Sequence, residues 1–322
     1  MRRYNQAMAG FRVAAVLAVA AAWGAEPQSY EVTGRFTPAE RAAVSLFDTS
    51  SPFNTRTLAI DGRFSFQKIQ AGSYTIAVFM PSRGEARQTI EVGPSTADSQ
   101  HRVVLALNFR DSDFVVEDAM RRRHSVPANQ LKVPEKAARE YEEAQKDLAR
   151  RDVDSAVKRL EHAVEIAPEF SAAWNNLGTI AYQTQKFERA EECFRKSLQA
   201  DPTAYEPLVN LGGVLVTLKK LDEAWRYNVM AVLARPNDAL ANCQLGMVYF
   251  GTGKLDLAEK HFAEAVKLDP GHFSLPQLFL AEIHLRRGDR GAAADDLENF
   301  LRYHPDWPQA AKMRETIAGL RQ

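Results

Sequence analysis

Residues 171–202 read SAAWNNLGTIAYQTQKFERAEECFRKSLQADP, and the spacing of small residues and proline in this stretch decides the fold of most of the chain. Gly178 and Ala190 stand twelve apart, with Pro202 twelve further on. The pattern recurs outward in both directions. The prolines are Pro168, Pro202, Pro236, Pro270 and Pro305, at spacings of 34, 34, 34 and 35. Ala156, Ala190, Ala224, Ala258 and Ala293 keep that register, as do Ala144, Gly178, Gly212, Gly246 and Ala281. Self-similarity at this period marks a helix–turn–helix solenoid, in which no repeat can bury its apolar face alone and neighbours must stack. Gly or Ala at the eighth and twentieth positions lets two antiparallel helices approach closely. Leu177, Leu211, Leu245 and Leu280 fill the seam between them, and Ala163, Ser197, Ala231 and Ala265 lie where the second helix meets the next repeat. The proline ends that helix, because it lacks an N–H and clashes with the preceding turn.

Trp174-Asn175-Asn176-Leu177-Gly178, then Tyr182, Ala190, Phe194 and Pro202, resembles the tetratricopeptide repeat. Five such repeats are expected, at 137–170, 171–204, 205–238, 239–272 and 274–307, with 308–322 as a capping helix that places Ala310, Met313, Ile317 and Leu320 on one face. The first repeat departs from the pattern with Glu140 where an aromatic is usual, and the last with Phe300 and one extra residue. The resemblance implies a concave groove lined by the first helix of each repeat. Carried onto this chain, the candidate peptide-binding residues are Asn175, Asn176, Thr179, Tyr182, Val209, Asn210, Gln244, Met247 and Phe250, flanked by Tyr141, Val216, Cys243, Leu278 and Glu282. No Lys or Arg stands at the fifth or sixth position of repeats two to four, so the family's clamp for chaperone C-terminal carboxylates is not reproduced. Instead Asn176, Asn210 and Gln244 form a ladder of amides, each with donor and acceptor. Such a ladder suits the backbone of an extended peptide, or pairing among the helices themselves. Met247 and Phe250 add an adaptable apolar patch.

Residues 30–107 carry a different period. Tyr30–Gly34, Ala43–Phe47, Arg56–Ile60, Phe64–Ile69, Tyr74–Phe79, Ala86–Val92 and His101–Leu107 alternate apolar and polar residues between turn signals. That pattern predicts about seven short strands in a β-sandwich, with Phe64, Phe66, Tyr74 and Phe79 mostly inward. The order Asp61-Gly62-Arg63-Phe64-Ser65-Phe66, Ile69, then Ala71-Gly72-Ser73-Tyr74-Thr75-Ile76 resembles the carboxypeptidase regulatory-like domain, a transthyretin-like sandwich related to B-type adhesin repeats. The resemblance implies a non-catalytic module. The expected architecture is therefore multidomain: an all-β sandwich, a polar linker at 108–136, and an all-α superhelical solenoid. The linker holds the basic run Arg121-Arg122-Arg123-His124, which reads as an anionic contact or as the solvated face of a short helix.

The first 25 residues read as a signal peptide. Arg2, Arg3 and Arg12 precede an unbroken apolar stretch from Val13 to Ala22, and small residues follow. That stretch falls well short of the roughly twenty residues that span a bilayer core of about 30 Å. Export to a periplasm, or a secreted or envelope-associated place, follows as the expectation. The whole chain has 41 basic and 41 acidic residues, and losing the leader removes three arginines, leaving a slightly acidic protein. A nucleic-acid partner is not expected of such a balance. The hydrophobic fraction of 45% and charged fraction of 25% are those of an ordinary globular protein. The two cysteines, Cys193 and Cys243, fall three helix steps apart in the array, too far for a disulfide.

Chemistry-bearing motifs are absent from the sequence: no H-E-x-x-H, G-x-S-x-G, G-x-x-x-x-G-K or C-x-x-C occurs. The seven histidines are scattered. No cofactor, metal or catalytic residue is expected, and the reading is a non-enzymatic interaction scaffold that takes a protein or extended peptide in its groove. The alternative is a sandwich that binds glycan or surface polymer, with the repeats as a spacer. Expressed with its leader in a secreting host, the mature chain is expected to begin at Trp23, Ala25 or Glu26. Intact mass spectrometry of the exported product reads this directly, and retention of Met1 refutes it.

Overall fold

The computed structural model describes residues 29–115 and 133–322. The stretch read as a signal peptide and the basic run Arg121–His124 lie outside the described residues. Seven strands come first: β1 (Ser29–Thr37), β2 (Ala42–Asp48), β3 (Asn54–Ala59), β4 (Arg63–Gln70), β5 (Gly72–Met80), β6 (Gly84–Val92) and β7 (Arg102–Asn108). They form two sheets, in the orders β4-β1-β7 and β3-β2-β5-β6. All pairings are antiparallel except β1 with β7. Alternate residues interdigitate between the sheets: Val32, Phe36, Val44, Leu46, Phe64, Phe66, Tyr74, Ile76 and Val78 are all buried. Phe79 departs from expectation. It lies between the inward Val78 and Met80 on β5, so the period of two turns it to the outer face, where it is half-buried.

Asp61-Gly62 forms the tight turn that its sequence announces. Both residues have positive φ (51° and 70°), and Arg63 N–H donates to Ile60 C=O at 3.0 Å. A Cβ at Gly62 would stand 2.6 Å from the Phe36 carbonyl, so glycine is required twice over. The expected linker is shorter than its polar composition suggests. Phe109 and Phe114 pack on the sandwich core, and Val115 pairs with Glu85 at the free edge of β6. Residues 109–115 thus belong with the sandwich, because two aromatics spaced by a short turn can bury there.

Eleven helices follow: α1 (Glu135–Ala149), α2 (Val153–Ile166), α3 (Ser171–Gln183), α4 (Phe187–Ala200), α5 (Tyr205–Thr217), α6 (Leu221–Ala234), α7 (Ala239–Gly251), α8 (Leu255–Leu268), α9 (Pro276–Arg287), α10 (Arg290–Tyr303) and α11 (Ala310–Leu320). They pair α1 with α2, α3 with α4, and so on to α9 with α10, while α11 closes the end. At one equivalent position after each first helix the backbone turns left-handed: Arg151, Gln185, Lys219, Gly253 and Gly288 have φ between 58° and 80°. This reverses the chain and satisfies terminal carbonyls. The extra residue of repeat five is taken up before α9, where Leu275 has φ 55° ahead of Pro276.

Within each pair one small residue receives one large side chain. A Cβ on Gly178 would meet the Phe194 ring at 2.5 Å, and one on Gly246 would meet Phe262 at 2.8 Å. Repeat three breaks the rule, because Asn228 occupies the ring's place against Gly212. It is fully buried, and neither its Nδ2 nor its Oδ1 finds a partner among the described residues. An orphaned buried amide costs the desolvation that its lost hydrogen bonds fail to return. Asn228→Leu is therefore expected to stabilise the protein by about 1–3 kcal/mol. The reverse change in the next repeat, Phe262→Asn, is expected to cost about 3–5 kcal/mol. Urea titration followed by circular dichroism tests both; equal effects would refute the assignment.

Candidate functional site

The repeat register puts the candidate groove residues on α1, α3, α5, α7 and α9, at the second, fifth, sixth, ninth, twelfth and thirteenth positions of each repeat. The structure divides the sequence-predicted groove residues into three groups. Val209 and Gln244 are buried, and so is the flanking Cys243. Val209 packs with Tyr205, Ala231 and Ala241, while Gln244 fills the space left by the missing side chain of Gly213. These are corrections to the groove lining: the close approach of α5 and α7 swallows them.

The amide ladder is bonded along the array. Asn176 Nδ2 donates to the Tyr141 hydroxyl at 3.3 Å, and Asn210 Nδ2 donates to Asn175 Oδ1 at 3.0 Å. Each bond ties a sixth position to the fifth position of the preceding repeat. The third rung fails, since Gln244 Oε1 is buried without a partner among the described residues. Burial also raises the pKa of the Tyr141 phenol, although its bond to Asn176 opposes the shift.

Thr179, Tyr182, Met247 and Phe250 remain as the accessible set, with Tyr182 39% exposed. The Tyr182 hydroxyl pairs with Thr217 across to α5 at 3.2 Å, and the Phe187 ring meets it edge-on. Phe250 lies edge-on to Phe279, and the Arg286 guanidinium stands 4.5 Å over its ring. Both thiols are buried and unpaired; burial pushes Cys193 up to about 11 and raises Cys243 further. They are inert, as packed thiols are. A recess of about 250 Å³ elsewhere, lined by Leu221, Asp222, Trp225, Val248, Thr252 and Lys254, brings together no acid–base pair or nucleophile with its base.

Sequence reasoning missed what the solenoid touches. Thr89 N–H on the outer edge of β6 donates to Asp269 Oδ2 at 3.0 Å, and Glu91 accepts from His304 Nδ1 at 2.9 Å. Ser95 N–H donates to Asp306 at 3.1 Å, and Asn237 donates to the Ser112 carbonyl at 3.3 Å. At the sandwich's other flank Arg151 stacks 3.9 Å over Phe53 and faces Asp48, whose carbonyl accepts from Gln183 at 3.4 Å. The histidines that look scattered in sequence thus partly converge, with His272 and His304 both buried beside this seam. Burial lowers the pKa of His272, with Asp269 opposing. The only sequence signal was the loops themselves: Asn237-Asp238, Gly271-His272 and Asp306-Trp307 differ where the repeat pattern is otherwise regular.

Paired helices, a left-handed turn in each repeat and an amphipathic cap define a tetratricopeptide-type solenoid. Models of the tetratricopeptide repeat match residues 171–204 and 239–272, the second and fourth units. Among curated relatives, the chain is 29% identical over 114 residues to the BBSome complex member BBS4 homolog of Drosophila melanogaster, covering 35% of this chain and 23% of that protein. It is 27% identical over 172 residues to anaphase-promoting complex subunit 7 of Arabidopsis thaliana, covering 52% and 30%. The chain thus spans less than a third of the length of these relatives. Among solved structures, MamA from Desulfovibrio magneticus RS-1 is 23% identical, covering 55% of this chain and 99% of that one, with a TM-score of 0.49. PilW, a type IV pilus biogenesis factor, is 20% identical, covering 58% and 91%, also at 0.49.

The amide ladder gives a test of its own. Asn210→Ala leaves Asn175 without its donor and is expected to cost about 1 kcal/mol. Gln244→Met removes an orphaned carbonyl and is expected to be neutral or stabilising by up to about 1 kcal/mol. Thermal denaturation separates them, and a larger loss from Gln244→Met would contradict this account.

Proposed function

We propose that this is an exported, non-enzymatic scaffold of the cell envelope that binds an extended segment of another protein on the concave face of its solenoid. The observation that carries the reading is the set Thr179, Tyr182, Met247 and Phe250. These side chains lie on first helices that are otherwise spent on packing, yet they retain accessible surface. They are the aromatic, polarizable types that give contact area without a fixed shape. Tetratricopeptide arrays act as protein-binding scaffolds, which supports the class; the basic start and apolar run within residues 1–25, of the kind a signal peptide carries, support export. No helix among the described residues is long and apolar enough to cross a membrane.

The sandwich contributes no rival site of comparable quality. Its large exposed apolar residues among the described residues are Phe47, Leu58, Ile60 and Val104; Leu58 and Ile60 lie together at the end of β3, and only Phe47 is aromatic, so they form no aromatic platform for sugar rings. Its likeness to the carboxypeptidase regulatory-like domain supports a non-catalytic part.

The test uses mature residues 26–322 as bait against the envelope fraction of the source cell. The wild type is expected to retain a specific protein, and Tyr182→Ala/Phe250→Ala to lose it by at least about tenfold, the loss of one anchor residue's worth of binding. Equal retention by the folded variant would move the site off the concave face. Retention on cell-wall material without any protein would favour the glycan reading.

A further inference from the structure

The contacts between sandwich and solenoid fix where the sandwich sits. Asp48 pairs with Tyr74, and the neighbouring Ser73 pairs with Glu91, so Asp48 and Glu91 lie two strand spacings apart, about 10 Å. Yet Asp48 touches Arg151 and Gln183 in repeats one and two, while Glu91 touches His304 at the end of repeat five. Along the array, α3 in repeat two and α10 in repeat five are three repeats apart, and because first helices of successive repeats pack directly on one another, each repeat advances about 8–10 Å, roughly 30 Å in all. One end of one sheet reaches both only if the array curls around it. The sandwich therefore lies on the concave side.

The character of this seam is equally informative. The sandwich core and the solenoid cores contain no residue in common among the described residues, so the two bodies meet without a shared apolar cluster. What joins them is polar: carboxylates of the inter-repeat loops receive the outward N–H groups of β6 and of the turn after it. Seams of this composition are those about which domains move. A soft point lies in the array itself, because repeat three holds the unpartnered Asn228, and the carbonyl of the Gln244 side chain that packs against Gly213 has no partner among the described residues either.

We infer that the sandwich is a ligand that the solenoid carries in cis: its β6 edge occupies the loop rim of repeats three to five, narrows entry to the concave face while leaving Tyr182 and its neighbours partly exposed, and must leave for an extended partner to seat along the whole groove. The rim is thus a reader of an exposed β-edge, with Asp269 and Asp306 as the backbone acceptors. The inference deepens the reading of the concave face as the binding surface, but its test needs no partner.

Thr179 lies one helical turn before Gln183 on the same face of α3, and both native thiols are buried. A Thr179→Cys reporter in the full mature chain therefore measures access. Asp269→Ala/Asp306→Ala is expected to raise its rate of alkylation at least about tenfold, since two hydrogen bonds to charged acceptors are lost. Glu91→Ala, which leaves the solenoid untouched, is expected to act in the same direction. A Ser95→Cys/Asp306→Cys disulfide is expected to slow alkylation below wild type until it is reduced. Hydrogen exchange should show the Thr89 amide protected in the wild type and released in the loop variant. Unchanged alkylation in all three, or a Thr89 amide that is unprotected in the wild type, would overturn the inference. Failure of the capture experiment alone would leave it standing.

Discussion

The close approach of two helices at a residue without a side chain sets the dimensions of this molecule. Gly178 takes the Phe194 ring and Gly246 takes Phe262, so each glycine makes room for the one large side chain that fills the seam of its pair. Ala144 and Ala281 serve the same position in the first and last units, where Leu160 and Leu297 are buried in the partner helices. Interiors of this density transmit displacement, because no void absorbs it. A small rotation per repeat, set at these seams, accumulates into the curl that brings repeat five opposite repeat one.

That curl explains why the groove is neither the open trough that the repeat pattern implies nor a closed core. Its polar ladder is spent on holding successive first helices together, through Tyr141 with Asn176 and Asn175 with Asn210. Its deepest positions, Val209 and Gln244, are consumed by packing. What remains outward is a short aromatic and methionine face. Recognition here combines a rigid frame with an interface that depends on charge, so ionic strength bears on the two bodies' association more than on either fold.

The polar seam also accounts for side chains that otherwise look misplaced. A buried carboxylate such as Asp269 is costly unless it is bonded, and an edge strand with free N–H groups invites pairing with other chains. Each solves the other's problem at Thr89. Two residues along the strand the polarity is reversed, with the Glu91 carboxylate accepting from the buried His304.

Periodicity made most of the fold legible. Prolines at a nearly constant interval, small residues in two registers, and a change to period two before residue 108 determined two domains, the strand order along the chain, the helix pairs and the separation of the two cysteines, because each depends on spacing alone. The same spacing could list which residues sit on the concave side of a helix, as it did for Tyr182 and Phe250. It could not tell which of them stay accessible, since Val209 and Gln244 differ from their neighbours only in how near α5 comes to α7. Nor could it show that β6 seats on loops up to 213 residues away. Contacts of that range depend on the accumulated curl of five repeats, a property of the assembled array that no single repeat encodes.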